Sequence, residues 1–347
     1  MKGDFDGKIV VVARGADGVS LAGGPGIGTY AQIGHGGLSL NASHSGIIDI
    51  RGNGTARVGD VSLNSGASYA YTQIGHGGRS APLSSIGPGD IRVEAAGDVL
   101  LLSGTASYSG SKIGHGNHNQ KLSSFVESSV DVVAGRHIRL VSPQFEAFTN
   151  TEYASTQIGH GGYGAIVGTA PSTQGYSGNI SVTAGGKLDL IAGKNGRSYL
   201  WSLIGHTSYF NSSGQHSGNI TVTTGTVAGL DDYGVTLRGP SSDFAGANNT
   251  SYYSFAAIGH RGHSNSTGTY STGLSGDILV DVIRGGVTIE GGNGLVTPDI
   301  RLHGAQIGHG GYAAGHLNYG LHGSVRVHAQ GDILLRSGTS RWAGVII

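Results

Sequence analysis

Short segments of alternating apolar and polar residues recur along the whole chain. In Ile48-Asp49-Ile50, Val61-Ser62-Leu63 and Ile91-Arg92-Val93 every second side chain is apolar. A period of two residues is typical of a β-strand with one buried face. The stretches between these segments are rich in glycine, serine and asparagine, which favour turns. The pattern therefore predicts many short strands and few helices.

One tripeptide, Ile-Gly-His, recurs more strictly than any other feature, and its histidines lie 39 to 54 residues apart. Self-similarity at such spacings indicates a repeat architecture, in which each unit buries its apolar face against its neighbours. The histidines of the seven copies are His35, His76, His115, His160, His206, His260 and His309.

Three strand signals recur in each repeat, and the third ends at the isoleucine of Ile-Gly-His. The first strands of the later copies open at Val130, Ile180, Ile220, Ile278 and Val325, and the second strands open at Ile138, Leu188, Val235, Val287 and Ile333. The distance from the first to the second strand is often constant, whereas the other connections vary in length. Variable connections are typical of loops that project from a body.

These features predict an all-β fold, a right-handed parallel β-helix (β-solenoid) of about eight coils with variable projecting loops. We expect one coil per repeat rather than two smaller coils, because only three strand signals recur. Parallel stacking would place Ile48, Ile91, Val130, Ile180, Ile220, Ile278 and Val325 in one buried column. The predicted repeats span approximately residues 8–46, 47–89, 90–128, 129–178, 179–218, 219–276 and 277–323, with a partial copy at 324–347.

The repeats predict a single solenoid segment that covers residues 1–347. The spacing of the first and third copies places Ile347 at the isoleucine of an eighth Ile-Gly-His. We therefore expect a segment of a longer repeat protein.

Composition limits the partners of the chain. The 21 basic and 21 acidic residues balance, and such a balance gives no long-range attraction to nucleic acid or to an anionic membrane. The sequence contains no run of about 20 apolar residues, so no membrane-inserted segment is predicted. The sequence contains no cysteine, which excludes disulfides and thiolate metal sites. Stability must come from burial and backbone pairing.

The seven histidines are expected to form a structural ladder. Rings stacked at the strand spacing of about 4.8 Å would repel one another if charged, so we predict neutral rings that are hydrogen-bonded to backbone or to each other. Two other interpretations remain open: a metal-binding column, although no carboxylate or cysteine recurs beside the histidines, and a pH sensor.

Aromatic residues recur five positions before the repeat isoleucine, at Tyr69, Tyr108, Tyr153, Tyr199, Tyr253 and Trp342. An odd separation along an extended strand predicts an outward aromatic stripe, which would either pack beneath loops or stack on sugar rings. Gln32, Gln73, Gln157 and Gln306 directly precede the isoleucine and are predicted to point outward, where their amides could stack as a ladder.

Motifs for catalysis are weak, so no catalytic residue, cofactor or metal site is assigned. Gly-x-Gly patterns such as Gly52-Asn53-Gly54 arise by chance when 66 of 347 residues are glycine. Polysaccharide-cleaving β-helices carry a cluster of acidic and basic residues on one outer face. Asp231, Asp232 and Asp281 are the nearest approach to such a cluster, and their positions favour a turn and a strand surface.

Two kinds of unit carry a family resemblance: Gly89-Asp90-Ile91-Arg92-Val93-Glu94-Ala95 with the Gly97–Gly104 unit that follows it, and Tyr30-Ala31-Gln32-Ile33-Gly34-His35-Gly36-Gly37. The chain resembles filamentous-haemagglutinin-like exoproteins, which are large bacterial surface adhesins of the two-partner-secretion type. The resemblance covers essentially the whole chain and implies a secreted β-helical stalk, exported in Gram-negative bacteria through a partner outer-membrane pore. The amino-terminal secretion domain of that family is not recognisable.

The resulting hypothesis is a non-catalytic structural and adhesive stalk at the bacterial cell surface or in the extracellular space. Its expected partners are glycans or proteins of a host or neighbouring cell, contacted by loops such as 144–157 and 241–256. Two alternatives stay open: a carbohydrate-active enzyme on the same scaffold, and a self-assembling extracellular fibre whose uncapped coils associate end to end.

Overall fold

The structure of the chain is a computed structural model. It describes residues 4–15, 17–40, 42–52, 59–80, 86–118, 121–122, 125–146, 149–163, 166–167, 175–195, 198–209, 215–242, 254–263, 273–294, 304–310, 320–339 and 344–347.

Three parallel sheets of eight strands run the length of the molecule, and each repeat contributes one strand to each sheet. Sheet 1 contains Ile9–Val12, Ile48–Arg51, Ile91–Ala95, Val130–Ala134, Ile180–Ala184, Ile220–Thr224, Ile278–Val282 and Val325–Ala329. Sheet 2 contains Val19–Ala22, Val61–Asn64, Val99–Leu102, Ile138–Val141, Lys187–Ile191, Gly234–Arg238, Val287–Glu290 and Ile333–Arg336. Sheet 3 contains Tyr30–Ile33, Tyr71–Ile74, Gly110–Ile113, Ser155–Ile158, Ser202–Ile204, Phe255–Ile258, Gly304–Ile307 and Val345–Ile346.

This arrangement is a right-handed parallel β-helix with one coil per repeat, which confirms the predicted fold class. The strands start at the predicted residues or one residue earlier, as at Lys187 and Gly234. The pairing also keeps the repeats in register: Ile346 lies beside Gln306, so Ile347 follows at the position of Ile307.

A fourth parallel sheet was not predicted. Its strands lie directly before those of sheet 1, at Phe125–Glu127, Gly175–Ser177, Gln215–Ser217, Leu274–Ser275 and Leu321–His322, and the pair Asp4–Phe5 and Ser43–His44 forms a separate two-stranded sheet before its own sheet 1 strands. These strands have only two or three residues. The position that holds Val126 in one coil holds Tyr176 and His216 in the next two and leucine in the last two, so it lacks the uniform aliphatic character of the sheet 1 positions.

The main hydrophobic cluster is continuous and is enclosed by sheets 1, 2 and 3. Identical positions of successive coils lie above one another, so the apolar residues form columns, as in Val93, Val132, Val182, Val222 and Val280. These side chains are at most 1% exposed. Burial of each is worth about 1.5–3 kcal/mol, and no single coil could achieve it alone.

Polar side chains continue the stacking at two corners. The carboxylate of Asp90 accepts the backbone N–H of Ser129 one coil further on, and Asn179, Asn219 and Asp277 accept equivalent bonds. At the start of sheet 2, Asp60 accepts the N–H of Asp98 in the same way. Each corner is thus held by bonds from a side chain to the next backbone rather than by contacts between like charges.

Shorter strand sets extend some of the loops. These are Gly161–Tyr163, Thr207–Tyr209 and Arg261–His263 in one sheet, Lys121–Leu122 with Ile166–Val167, and Ser241–Ser242 with Asn293–Gly294. In the part of the chain that the structure describes, no helix has the length and apolar character needed to span a membrane.

A charge placed inside a core column should unfold the solenoid locally. We expect Val182→Asp to lower the free energy of unfolding by roughly 4 kcal/mol or more, because an isolated carboxylate would be buried between Val132 and Val222. Urea denaturation followed by circular dichroism measures the change. The matched control is Thr183→Asp, the next residue of the same strand, whose side chain is half-buried. Equal losses for the two variants would contradict the assigned core face.

Candidate functional site: the histidine column and the adjacent cavity

The glycine of Ile-Gly-His is required by the close approach of the next coil. Ile74 is fully buried in the core, and the chain then turns at Gly75, whose φ is +157°. A Cβ atom at Gly75 would lie 2.0 Å from the carbonyl oxygen of Gly114. Any larger residue would therefore push two coils apart, and the same turn aims the following histidine.

The structure brings the seven histidines together in one stack, called here the histidine column. Neighbouring ring centroids lie 4.7 to 4.9 Å apart and the ring planes differ by 3° to 12°. His76, His115, His160, His206 and His260 are fully buried.

Hydrogen bonds along the column determine the proton position of each ring. The backbone N–H of His76 donates to Nδ1 of His115 at 2.9 Å, and the other neighbouring pairs repeat this bond at 2.9 to 3.1 Å. A backbone N–H can only donate, so the accepting Nδ1 carries no proton. The proton of the neutral ring therefore lies on Nε2.

Nε2 of each ring donates to a carbonyl oxygen at the start of the same coil. The bond from His76 to Gly46 is 2.6 Å long and that from His160 to Ser128 is 2.7 Å. All the acceptors lie two residues before a sheet 1 strand: Gly7, Gly46, Gly89, Ser128, Gly178, Gly218 and Gly276. Each histidine thus fastens the end of its coil to the beginning, and also to the coil before.

Burial keeps these rings neutral. It lowers the pKa of His76 to about 4 and the pKa values of His115 and His206 to about 3. The pKa values of His160 and His260 are also lowered, first by burial and then by repulsion from neighbouring rings. A proton on Nδ1 would break the bond to the preceding coil and place a charge in a dry stack.

Metal coordination by the column would require the loss of one of these bonds, because both nitrogens of a central ring are engaged. Within the described ranges, no group of three His, Asp or Glu side chains could hold a metal ion. The geometry is that of a closed hydrogen-bonded ladder.

The tyrosines form a second stack, but not on an extended strand. Tyr69, Tyr108, Tyr153 and Tyr199 have φ between 59° and 63°, so they lie in a left-handed turn just before sheet 3. The same position in the first coil is Gly28, with φ of 73°. The assumption of an odd step along a strand was therefore wrong. Tyr253 and Trp342 lie outside the described residues.

Ring stacking leaves little aromatic surface for a ligand. The centroids are 4.5 to 4.7 Å apart, so each tyrosine covers the face of the next. The guanidinium of Arg79 lies 4.0 Å above the ring of Tyr69 and closes that end. Sugars bind to aromatic faces, and this ladder presents ring edges; Tyr69 is 38% exposed and the other three are half-buried.

The glutamines do not form the predicted amide ladder. Gln73 and Gln157 point away from the core but are covered, at 0% and 3% exposure. Their Nε2 groups donate to carbonyl oxygens of the following coil, Gly114 at 3.0 Å and Gly205 at 2.9 Å. They therefore cap backbone acceptors, since a buried carbonyl without a donor is costly.

Lys112 occupies the glutamine position of the third coil, between Gln73 and Gln157. Its side chain is 5% exposed, and Nζ donates to the carbonyl oxygen of Gly116 at 3.0 Å in its own coil. Burial holds the pKa of Lys112 well below its ordinary value. Sequence reasoning missed this residue, although alignment of the repeats shows it as the one ionisable residue at a position that otherwise holds Gln or an apolar residue.

A cavity of about 30 Å³ lies between the tyrosine ladder and sheet 3. Its walls include Lys112, Asn117, His118, Gln157 and the rings of Tyr108 and Tyr153. Asn117 donates to the amide oxygen of Gln73 at 2.9 Å, which fixes one wall. Burial lowers the pKa of His118 to about 3, so that ring is neutral. The wall is thus polar, and this volume suits about two water molecules.

The histidine column should make the solenoid sensitive to mild acid. The folded-state pKa values are lowered, so the unfolded chain binds more protons below about pH 6.5 and stability falls as the pH drops from there toward 4. Each buried ring contributes up to about 1.4 kcal/mol per pH unit in that window. Urea midpoints measured at several pH values test this.

The matched variant for that experiment is His160→Gln. Its amide can accept and donate at the two sites of the ring but does not titrate. We expect a pH slope that is shallower by about one proton. An unchanged slope would show that His160 is not a neutral member of the column.

Replacement of Lys112 by glutamine should stabilise the protein. Glutamine in the neighbouring coils caps carbonyls of the next coil, and the change also removes a buried amine. We expect the free energy of unfolding to rise by roughly 1–3 kcal/mol at neutral pH. Thermal or urea denaturation checks this, with Lys187→Gln as the control, since Lys187 instead pairs with Asp189 and Asp232. Destabilisation by Lys112→Gln would contradict the equivalence of the two residues.

Comparison with known proteins adds no family assignment. No family model, no curated protein and no solved structure matches this chain. The fold therefore stands on the strand pairing and the columns described above, and the resemblance to filamentous-haemagglutinin-like exoproteins stays a prediction.

Proposed function

We propose that this chain is a non-catalytic shaft of a large secreted bacterial surface protein, with adhesive contacts made by its projecting loops. The observation that carries the proposal is the continuity of three eight-stranded parallel sheets around one core. Such a body would hold its two ends at a fixed separation, because each described coil is hydrogen-bonded to the next one in all three sheets. Its extracellular or cell-surface location is part of the proposal.

The side-chain ladders support a rigid body. The histidine column, the tyrosine stack and the Asp and Asn corners each add a bond or contact between successive coils, besides the backbone ladder. In these ladders, polar and aromatic groups join one coil to the next. A shaft needs stiffness, and these features supply it.

Two of the three carboxylates considered for an enzyme, Asp231 and Asp232, lie beside basic side chains at a surface turn. Asp232 lies 3.0 Å from Nζ of Lys187, and Asp231 lies 3.6 Å from Nε2 of His137. Exposed pairs of this kind are worth little energy and occur on ordinary protein surfaces. The geometry favours a structural use of this turn over a catalytic one.

Removal of whole coils tests the shaft. Deletion of residues 90–178 joins Gly89 to Asn179 and recreates the Gly-Asn turn that precedes sheet 1. We expect a folded protein with an unchanged cross-section, shorter by two coils, or about 10 Å. Small-angle X-ray scattering measures both dimensions, and loss of the folded cross-section would contradict interchangeable coils.

A parallel assay addresses the functional alternatives. The full chain is incubated with a panel of bacterial and plant polysaccharides, and reducing ends are measured. Release of oligosaccharide would overturn the non-catalytic proposal. Binding of the same chain to a glycan array or to extracellular matrix proteins, without cleavage, is the result expected for an adhesive shaft.

A further inference from the structure

Lys112 breaks a pattern that its neighbours obey. In the coils on either side, the same position holds a neutral amide that caps the following coil. The third coil instead buries an amine, and that amine makes one hydrogen bond, to Gly116. An ammonium group has three donors, so this position is poorly arranged for a charged lysine.

The surroundings offer no counter-charge. Among the described residues, no carboxylate forms an ion pair with Nζ of Lys112, and burial is the one cause that acts on its pKa. The titratable groups that interact with its charge are His115, His160 and His206. These side chains are also bases, so a charged Lys112 would disfavour their protonation, and they cannot neutralise its charge. A buried amine without an anion lowers its free energy by giving up its proton.

Lys112 is one of the residues that line the cavity beneath the tyrosine ladder. With a volume of about 30 Å³, the cavity has room for a molecule of two or three non-hydrogen atoms. A buried amine, a polar wall and a small volume are thus combined in one place.

We propose that Lys112 is an uncharged nucleophilic amine whose cavity captures small aldehydes of one or two carbon atoms. This site is independent of the shaft and its loops. The amine nitrogen attacks the carbonyl carbon, a proton moves from nitrogen to the carbonyl oxygen, and loss of water from the carbinolamine leaves an imine. No oxidant or reductant is needed, since R–CHO and Lys–NH₂ give R–CH=N–Lys and H₂O.

The charge of the product favours aldehydes over carbon dioxide as the molecules captured. Addition of carbon dioxide to the amine would form a carbamate, a buried anion, and the described residues that line the cavity provide no cation to pair with it. An imine is neutral. The same cost of burying charge that keeps Lys112 uncharged therefore favours the aldehyde product.

Competitive labelling of the folded chain tests the proposal. The protein is treated at about pH 7 with acetaldehyde and cyanoborohydride, which traps the imine as a secondary amine, and the alkylation rate of each lysine is measured by peptide mass spectrometry. Lys187 is the internal reference, because its carboxylate partners raise its pKa. An ordinary lysine is about 0.04% uncharged at this pH, so we expect Lys112 to react at least about tenfold faster even with restricted access.

Two controls isolate the site. In urea, where the cavity is lost, Lys112 and Lys187 should react at similar rates. Lys112→Gln, which restores the amide of the neighbouring coils, should fold and lose the modified peptide while the rate at Lys187 stays unchanged.

The size limit is tested with 4-carboxybenzaldehyde under the same conditions. This aldehyde should label Lys187 and leave Lys112 unmodified in the folded chain. Lys112 reacting no faster than Lys187 with acetaldehyde would overturn the nucleophilic amine. Equal labelling of Lys112 by the bulky and the small aldehyde would overturn the cavity as the site of capture.

Discussion

The structure depends on the in-register stacking of parallel coils. Once strands pair in this way, every residue lies directly above its counterpart one repeat earlier, at a separation of about 4.8 Å. The sequence must therefore place at each strand position a residue that tolerates contact with its counterparts in the adjacent coils. Aliphatic residues meet this condition in the core, and it explains why valine and isoleucine recur at the same inward positions of sheet 1.

Polar residues meet the same condition in a different way. Two stacked carboxylates repel, yet Asp60 and Asp98 follow one another at a corner because each accepts a backbone N–H from the next coil. Histidine suits the tighter corner for a related reason. Its neutral ring is flat, with one acceptor and one donor on opposite sides, so it can stack on itself while it binds backbone along and across the axis. A lysine side chain has no flat ring that stacks and, when charged, no hydrogen-bond acceptor, so Lys112 departs from this rule.

Much of the fold could be predicted from the sequence because periodicity reports burial. The first strands at Val130 and Ile180 were located to the residue, since an apolar residue at every second position needs a strand. The fourth sheet escaped because Val126, Tyr176 and His216 share its central position without sharing any chemistry. The available signal was spacing, since Tyr176 and His216 each lie four residues before the next sheet 1 strand.

The candidate site was less predictable, for reasons that lie in the backbone. Tyr108 and Tyr153 adopt a left-handed conformation that a side-chain pattern does not encode, and Gly28 at the same position was the available hint. Gln73 is buried because its neighbouring loop folds over it, a contact between distant residues.

The orientation of the coil-to-coil bonds also has a mechanical consequence. Backbone ladders, the histidine N–H to Nδ1 bonds and the Asp and Asn corner bonds all join one coil to the next. Tension along the axis would load every bond at one coil boundary simultaneously, so rupture there would be collective, whereas peeling from a chain end would break the bonds a few at a time. The molecule should thus resist stretching far better than unwinding.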